Sequence, residues 1–210
     1  MKINACKICR RVGEKLFLKG DKCSSPKCVF LRKPFAPGIS PKRQRKAPLS
    51  EYGRELRETQ KLRKMYVIGE KSFKKIIKET LKKRAKEDVS NLLIKKLEKK
   101  LYNVVFRAGY AKSRRGAKQL VSHGHFLLNN KRINIPSIEV KVGDEIIPRE
   151  AAKKKNYFTK VLPTLEKEQK IPSWISLNKN KGLIKIASEP NTDELGIKVD
   201  IPLIISFYRG

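Results

Sequence analysis

The chain has 210 residues, enough for one or two compact domains with real cores, and its charge is extreme: 51 lysines and arginines against 20 acids, a formal net of +31. Such a surplus repels itself in any compact state and implies a polyanion in the working state, nucleic acid above all. Composition excludes an ordinary membrane span, because no run of about 18 apolar residues occurs, and basic amphipathic helices with a bulky aromatic face are absent too.

Residues 1–48 read as irregular. They hold all four cysteines and then a stretch with Pro34, Pro37, Pro41 and Pro48, a spacing that forbids a long helix. Within that stretch Lys42, Arg43, Arg45 and Lys46 form a cationic arm that can thread between RNA helices. No apolar segment follows Met1 and Lys2, so no secretory leader is expected. The expected location is the cytoplasm, or an organelle matrix after processing.

The cysteines are Cys6, Cys9, Cys23 and Cys28, spaced C-x2-C, thirteen residues, C-x4-C. Two close pairs joined by a short loop suit one tetrahedral metal held by two knuckles. Lys7, Arg10 and Lys27 lie close by in sequence and favour thiolates. Zinc is the expected cofactor, and a four-thiolate iron–sulfur cluster satisfies the same spacing. Disulfides are the competing reading, disfavoured by the missing leader. With four protein ligands no position is left for a catalytic water, so the metal is expected to be structural.

Residues 49–97 are expected to form a helical domain. Ser50 is placed to cap a first helix with Tyr52, Leu56, Leu62 and Tyr66 on one stripe. Gly69 interrupts, and Phe73, Ile76, Ile77 and Leu81 start a second stripe. A third helix, capped by Ser90, carries Leu93, Leu97, Leu101 and Val104 and ends at Gly109. Tyr52, Lys61, Arg63 and Lys64 on the first helix are candidate RNA contacts, with a core role the competing reading for Tyr52.

Ser113 and Gly124 bracket a short helix. Ala117, Leu120 and Val121 share its apolar side. At about 100° per residue, Arg115, Lys118, Gln119 and Ser122 project from the other. Strands are expected at Phe126–Leu128 and Ile133–Ile135 around an Asn129-Asn130 turn, at Ile138–Val142, and at Glu145–Ile147. Residues 150–170 read as helical on both sides of Pro163. Leu183–Ala187 and Ile201–Tyr208 read as terminal strands packing back on the body from 166–210.

The segment RAGYAKSRRGAKQLVSHGHFLLNNKRINIPSIEVKVGD, Arg107 to Asp144, resembles the small RNA-binding module named after bacterial ribosomal protein S four. CKICRRVGEKLFLKGDKCSSPKC resembles the zinc segment of that family, LSEYGRELRETQKLRKMY its helical domain, and ISFYRG its C-terminal strand. Asn129-Asn130 stands where the family has Asn-Gly, and Gly182–Asp200 matches poorly. The resemblance implies an α+β chain: zinc segment (1–48), helical domain (49–97), RNA-binding module with a mostly antiparallel sheet (98–165) and C-terminal strands (166–210).

It also implies a structural component of the small ribosomal subunit. Such a protein binds the five-prime domain of the ribosomal RNA directly, nucleates assembly and adjoins ribosomal protein S five. It helps line the channel by which messenger RNA enters, with effects on decoding accuracy. The candidate RNA contacts in the module are Arg107, Ser113, Arg114, Arg115, Lys118, Gln119, His123, Lys131 and Arg132. Folded RNA offers phosphates, 2′-hydroxyls and shape, which cations, amides and hydroxyls on rigid elements can grip. His123 is placed at a helix C-terminus, where it suits the dipole or a phosphate better than a metal.

Two other classes compete. An RNA-modifying enzyme carries the same module but needs a catalytic domain, and no Gly-rich phosphate loop or triad spacing is present. A zinc-dependent DNA regulator needs a base-reading helix and usually dimer symmetry. The expectation is therefore a binding protein, not an enzyme.

Overall fold

A computed structural model describes residues 4–38, 48–82, 88–165, 171–178, 181–196 and 199–209. In chain order the first helices are α1 (Ala5–Val12), α2 (Asp21–Ser24), α3 (Val29–Arg32), α4 (Glu51–Met65) and α5 (Glu70–Lys82). Next come α6 (Val89–Glu98), α7 (Leu101–Arg107) and α8 (Arg114–Ser122), then strands β1 (Phe126–Leu128), β2 (Lys131–Ile133) and β3 (Glu145–Pro148). After α9 (Glu150–Lys153) and α10 (Asn156–Val161) follow β4 (Ile175–Asn178), β5 (Leu183–Ile186) and α11 (Ile201–Arg209). No described helix is long and apolar enough to cross a membrane.

The chain divides into two units, Met1–Lys83 with Lys198–Gly210, and Arg84–Ile197. In the first, Ser50 caps α4 by accepting a hydrogen bond from the Gly53 N–H at 3.2 Å, as its position predicts. Leu62, Tyr66, Phe73, Ile77 and Ile204 form its buried apolar centre.

The reading of 201–208 as a strand is corrected: this segment is α11, packed on α4 and α5. Its β-branched residues suggest a strand, but the buried pair Ile204 and Ile205 lies three and four positions after Ile201, which is the helical period. Asp200 supplies the start by accepting from the Leu203 N–H at 3.3 Å, and Pro202 falls in the first turn, where a missing N–H costs nothing. The Tyr52 and Phe207 rings meet at 5.6 Å, and Phe73 and Tyr208 at 6.1 Å.

The N-terminal part of this unit is also more regular than expected. Asn4 caps α1, and Gly13 closes it at a positive φ of 83°. Two single-turn helices, α2 and α3, follow in place of an irregular segment.

The second unit is built on a sheet with strand order β2-β1-β3-β5-β4, all its pairs antiparallel. The α+β expectation holds here, with β4 an addition the sequence reading missed. Helices α7 and α8 pack together beside the sheet over a core that includes Leu101, Tyr110, Phe126, Phe158, Trp174 and Ile184.

Three local expectations need correction. The helix read from Ser90 to Gly109 is two helices. Asp88, not Ser90, is the cap, accepting from the Ser90 N–H at 3.2 Å. The break comes where the backbone turns to a neighbour: Leu101 N–H donates to Ile138 at 2.8 Å, and Val140 N–H donates to Lys99 at 2.9 Å. Those same bonds explain why Ile138, Val140 and Val142 alternate without forming a strand. The segment makes only an isolated bridge, Lys100 with Glu139. Finally, the second hairpin strand starts at Lys131 and stops at Ile133, leaving Ile135 exposed before Pro136.

Candidate nucleic-acid interface

Helix α8 is fixed at its start by Ser113, whose hydroxyl accepts from the Gly116 N–H at 3.2 Å. Ala117 and Val121 are fully buried against the core. That anchors the opposite side outward, and Arg115, Gln119, Ser122 and His123 are exposed along it. Lys118 stands beside this row, half-buried, its Nζ 5.9 Å from the Tyr102 ring.

The β1–β2 hairpin brings a second set of cations. Asn129 and Asn130 both adopt positive φ, 48° and 63°, the left-handed pair that a two-residue hairpin turn needs. Asn serves here where the resembling family has Asn-Gly. Asn129 is further locked: its Nδ2 donates to Asp144 at 2.8 Å, and its Oδ1 accepts from the Glu145 N–H at 2.9 Å. The turn is thus rigid, and Lys131 and Arg132 stand exposed on the strand that follows it.

The two sets meet at the end of α8. Gly124 turns the chain at φ +65°, and a Cβ there would lie 3.0 Å from the Arg132 Nε. Arg149 donates through Nη1 to the Gly124 carbonyl at 3.3 Å, and through its backbone N–H to His125 at 2.9 Å. The His123 and His125 rings are 5.9 Å apart. Burial holds His125 below the usual imidazole range, and Lys155, His123 and Arg149 push it further down. Replacing Gly124 with alanine is expected to cost about 1–2 kcal/mol, because a side chain is strained at this φ, and to displace the Arg132 guanidinium. A lowered denaturant midpoint together with weakened RNA affinity checks both effects.

Arg149, His125 and Lys155 were missed by the sequence reading. The signal for Arg149 lay in the register: Pro148 pairs with Phe126, which brings the next residue beside the end of α8.

Other expected contacts face inward. Glu98 is completely buried and gathers three of its neighbours. Arg107 donates to it through Nε at 3.0 Å and Nη2 at 2.8 Å, and Asn103 through Nδ2 at 2.6 Å. Arg114 sits 3.6 Å from the same carboxylate, donates through Nε to Asn103 at 2.6 Å, and stacks 4.8 Å over the Phe106 ring. These two arginines lock α6, α7 and the start of α8 together, a role that residue type alone does not reveal.

In the first unit Lys61 is buried and paired with Glu14 at 2.9 Å and Glu58 at 3.7 Å. Arg63 is buried against Glu70. Burial and the adjacent Arg63 hold the half-buried Lys64 below the usual ammonium range. Tyr52 is 63% exposed, and its ring lies against that of Phe207. Lys42, Arg43, Arg45 and Lys46 lie outside the described residues.

The cysteines fall on α1, on α2 and at the start of α3, with Cys9, Cys23 and Cys28 buried and Cys6 partly so. The Lys19 N–H donates to the Cys23 sulfur at 3.3 Å. Burial pushes the Cys9 thiol up, a Leu16 N–H draws it down, and repulsion from Cys23, Cys6 and Cys28 raises it again. Four sulfurs with N–H donors to two of them match the chemistry of a thiolate metal. Among the described residues, however, no three His, Cys, Asp or Glu side chains stand as a group able to hold a metal ion.

Two family profiles match the chain. "Ribosomal protein S4/S9 N-terminal domain" covers residues 1–104, and "S4 domain" covers 99–146. Similar proteins match along almost their whole length. The small ribosomal subunit protein uS4 of Syntrophus aciditrophicus is 41% identical over 207 residues, 99% of this chain and 97% of that protein. Those of Thermoanaerobacter sp. and Thermus thermophilus are 41% and 39% identical, each over 97% of this chain and 95% of theirs. The chain belongs to the uS4 family.

That membership makes it a structural ribosomal protein and not an enzyme, as its sequence led one to expect. The S4 domain match spans α7, α8, the hairpin and the start of β3. Arg115, Gln119, His123, Lys131 and Arg132 all lie within it. Arg149 and Lys155 extend the cationic face just beyond the uS4 module's matched end.

Proposed function

We propose that this protein is a structural component of the small ribosomal subunit that binds its ribosomal RNA directly, through the face formed by α8 and the β1–β2 hairpin. One observation carries the reading. Arg115, Gln119, Lys131 and Arg132 are exposed on elements whose opposite sides are fixed by a buried core, a hydroxyl cap and a locked turn. Rigid guanidinium and ammonium groups neutralise crowded phosphates at little entropic cost and release their counterions. The amide of Gln119 and the imidazole of His123 add hydrogen-bonding groups suited to 2′-hydroxyls and phosphates.

In the finer form of this proposal the RNA is the five-prime domain of the 16S-type molecule, bound early enough to nucleate assembly in the cytoplasm. Lys42, Arg43, Arg45 and Lys46 are assigned to the same ribosomal RNA, and the protein also contributes to the site where messenger RNA enters. Ribosomal protein S five is the neighbour, and the position at the messenger RNA entry channel affects decoding accuracy. The four cysteines hold one zinc ion through Cys6, Cys9, Cys23 and Cys28. These four residues would hold it, and when bound it would supply positive charge to their thiolates, in a structural role linking α1, α2 and α3. The support is the residue spacing, the burial of three thiols and the N–H donors at Cys9 and Cys23.

Footprinting on naked small-subunit ribosomal RNA, with metal analysis of the same preparation, tests both parts. The expected result is one compact protected region in the five-prime domain and about one zinc equivalent per chain. Protection scattered along the RNA contradicts the binding reading, and iron with labile sulfide replaces zinc by a cluster.

A further inference from the structure

The chain holds only two histidines, and the fold brings both to one point. His123 ends α8 and His125 follows the Gly124 turn, with their rings 5.9 Å apart. His125 is half-buried, in a T-shaped contact with Phe158 of α10 at 5.7 Å. Among the described residues the charged groups that face it are cations. Arg149 precedes α9 and Lys155 precedes α10, and both disfavour a charge on the ring, as does His123. Arg132 of β2 adds a second guanidinium beside Gly124. Glu150, next to Arg149 in the chain, is engaged by Lys153 at 2.6 Å. Among the described residues neither histidine has a carboxylate partner, and nor do Arg132, Arg149 and Lys155. Burial first, and these cations after it, hold His125 below the usual imidazole range, so it is neutral in the free protein at about pH 7.

We infer that RNA binding at this junction takes up a proton on His125, so that the interface tightens as pH falls from about 8 to about 6. The inference rests on the proposed function and adds to it regulation of the same site by protons. A phosphate brought against Arg132, Arg149 and Lys155 replaces repulsion around the ring with attraction, and the imidazolium becomes the favoured form. The proton passes from solvent to the free ring nitrogen, and no other bond changes. Linkage makes the effect reciprocal: if the complex binds the proton more tightly, the protonated protein binds RNA more tightly. The fold alone responds in the opposite direction. It favours neutral His125, so this contribution to stability is present above about pH 6.5 and is lost as pH falls through the lower folded value. A tighter complex at low pH is therefore not a by-product of a firmer fold. The α-amino group and any metal-free thiol also titrate in this window, so the assignment is tested at His125 itself.

The test uses the full chain and a five-prime-domain transcript of small-subunit ribosomal RNA, at fixed ionic strength from about pH 6 to about pH 8. Wild type should bind about three- to tenfold more tightly at the acid end, tenfold being the ceiling when the ring's pKa rises by about one on binding. Calorimetry in two buffers of different ionisation heat should show net proton uptake. His125→Gln should hold the affinity ratio below about twofold and abolish most of the uptake, whatever its affinity at the alkaline end. Lys155 is exposed, so Lys155→Gln spares the fold and removes one repelling cation. In that variant the His125 imidazole, followed by nuclear magnetic resonance in the free protein, should titrate at higher pH, and the affinity ratio should shrink. If His125→Gln fails to fold, Lys155→Gln decides alone, and an unshifted titration with an unchanged ratio overturns the inference. An equal ratio in wild type and His125→Gln also overturns it, as does a wild-type affinity that ignores pH while still falling with salt. Those results leave the α8 interface standing. Failure of the wild-type chain to bind at any pH overturns the proposed function itself.

Discussion

Replacing Glu98 with alanine is expected to destabilise the second unit by about 3–5 kcal/mol, the usual cost of removing one partner from a buried ion pair. Glu98 is wholly buried, while the side chains of Arg107 and Arg114 are 19% and 13% exposed. Without the carboxylate the two guanidinium groups lose their shared counter-charge in a space that water reaches poorly, and Asn103 keeps only its 3.2 Å bond to the backbone carbonyl of residue 98. A domain of this size has only about 5–15 kcal/mol in total, so the variant should show a large drop in denaturant midpoint. Glutamine at the same position keeps one acceptor and the packing but not the charge, and should fall between. A loss below about 1 kcal/mol for the alanine variant would mean that both arginines turn out to solvent, and that the network does not hold α6, α7 and α8 together.

The second large effect concerns binding. Changing Arg115, Lys131 and Arg132 together to Gln should leave the unfolding midpoint close to wild type, since exposed substitutions seldom cost more than about 0.5 kcal/mol each. The salt dependence of RNA binding should weaken by about 1 for each cation that touches a phosphate, roughly 3 in total. Arg107→Gln provides the contrast. It should lower stability and, in the folded fraction, leave the salt slope near its original value. If the triple variant kept the slope and Arg107→Gln reduced it, the inward and outward roles assigned to these arginines would be reversed.

That contrast shows what a sequence can and cannot state. The cap at Ser113, the buried stripe of α8 and the Asn129-Asn130 turn are local devices, and each could be read from a few neighbouring residues. Arg107 and Arg114 had the right chemistry for RNA, but their direction depends on Glu98, whose role emerges only when α6, α7 and α8 pack. The same limit explains α11. Its isoleucines favour a strand by propensity, and the helix exists because α4 and α5 offer a surface to which Ile204 and Ile205 can bind. The break after Glu98 was hidden for a similar reason, since it depends on hydrogen bonds with Ile138 and Val140, some forty residues along the chain. Cysteine spacing was plain from the start, but among the described residues no three ligating side chains stand as a group able to hold a metal ion.

At the centre of the account is phosphate neutralisation by cations on a rigid frame. The affinity of the full chain for folded small-subunit ribosomal RNA, measured from low to moderate salt, tests it most directly. A straight decline in log affinity with log salt, with a slope of about −4 or steeper, is the predicted result, because six or more phosphate contacts each contribute about 0.7–0.9. An affinity that barely responds to salt would contradict it.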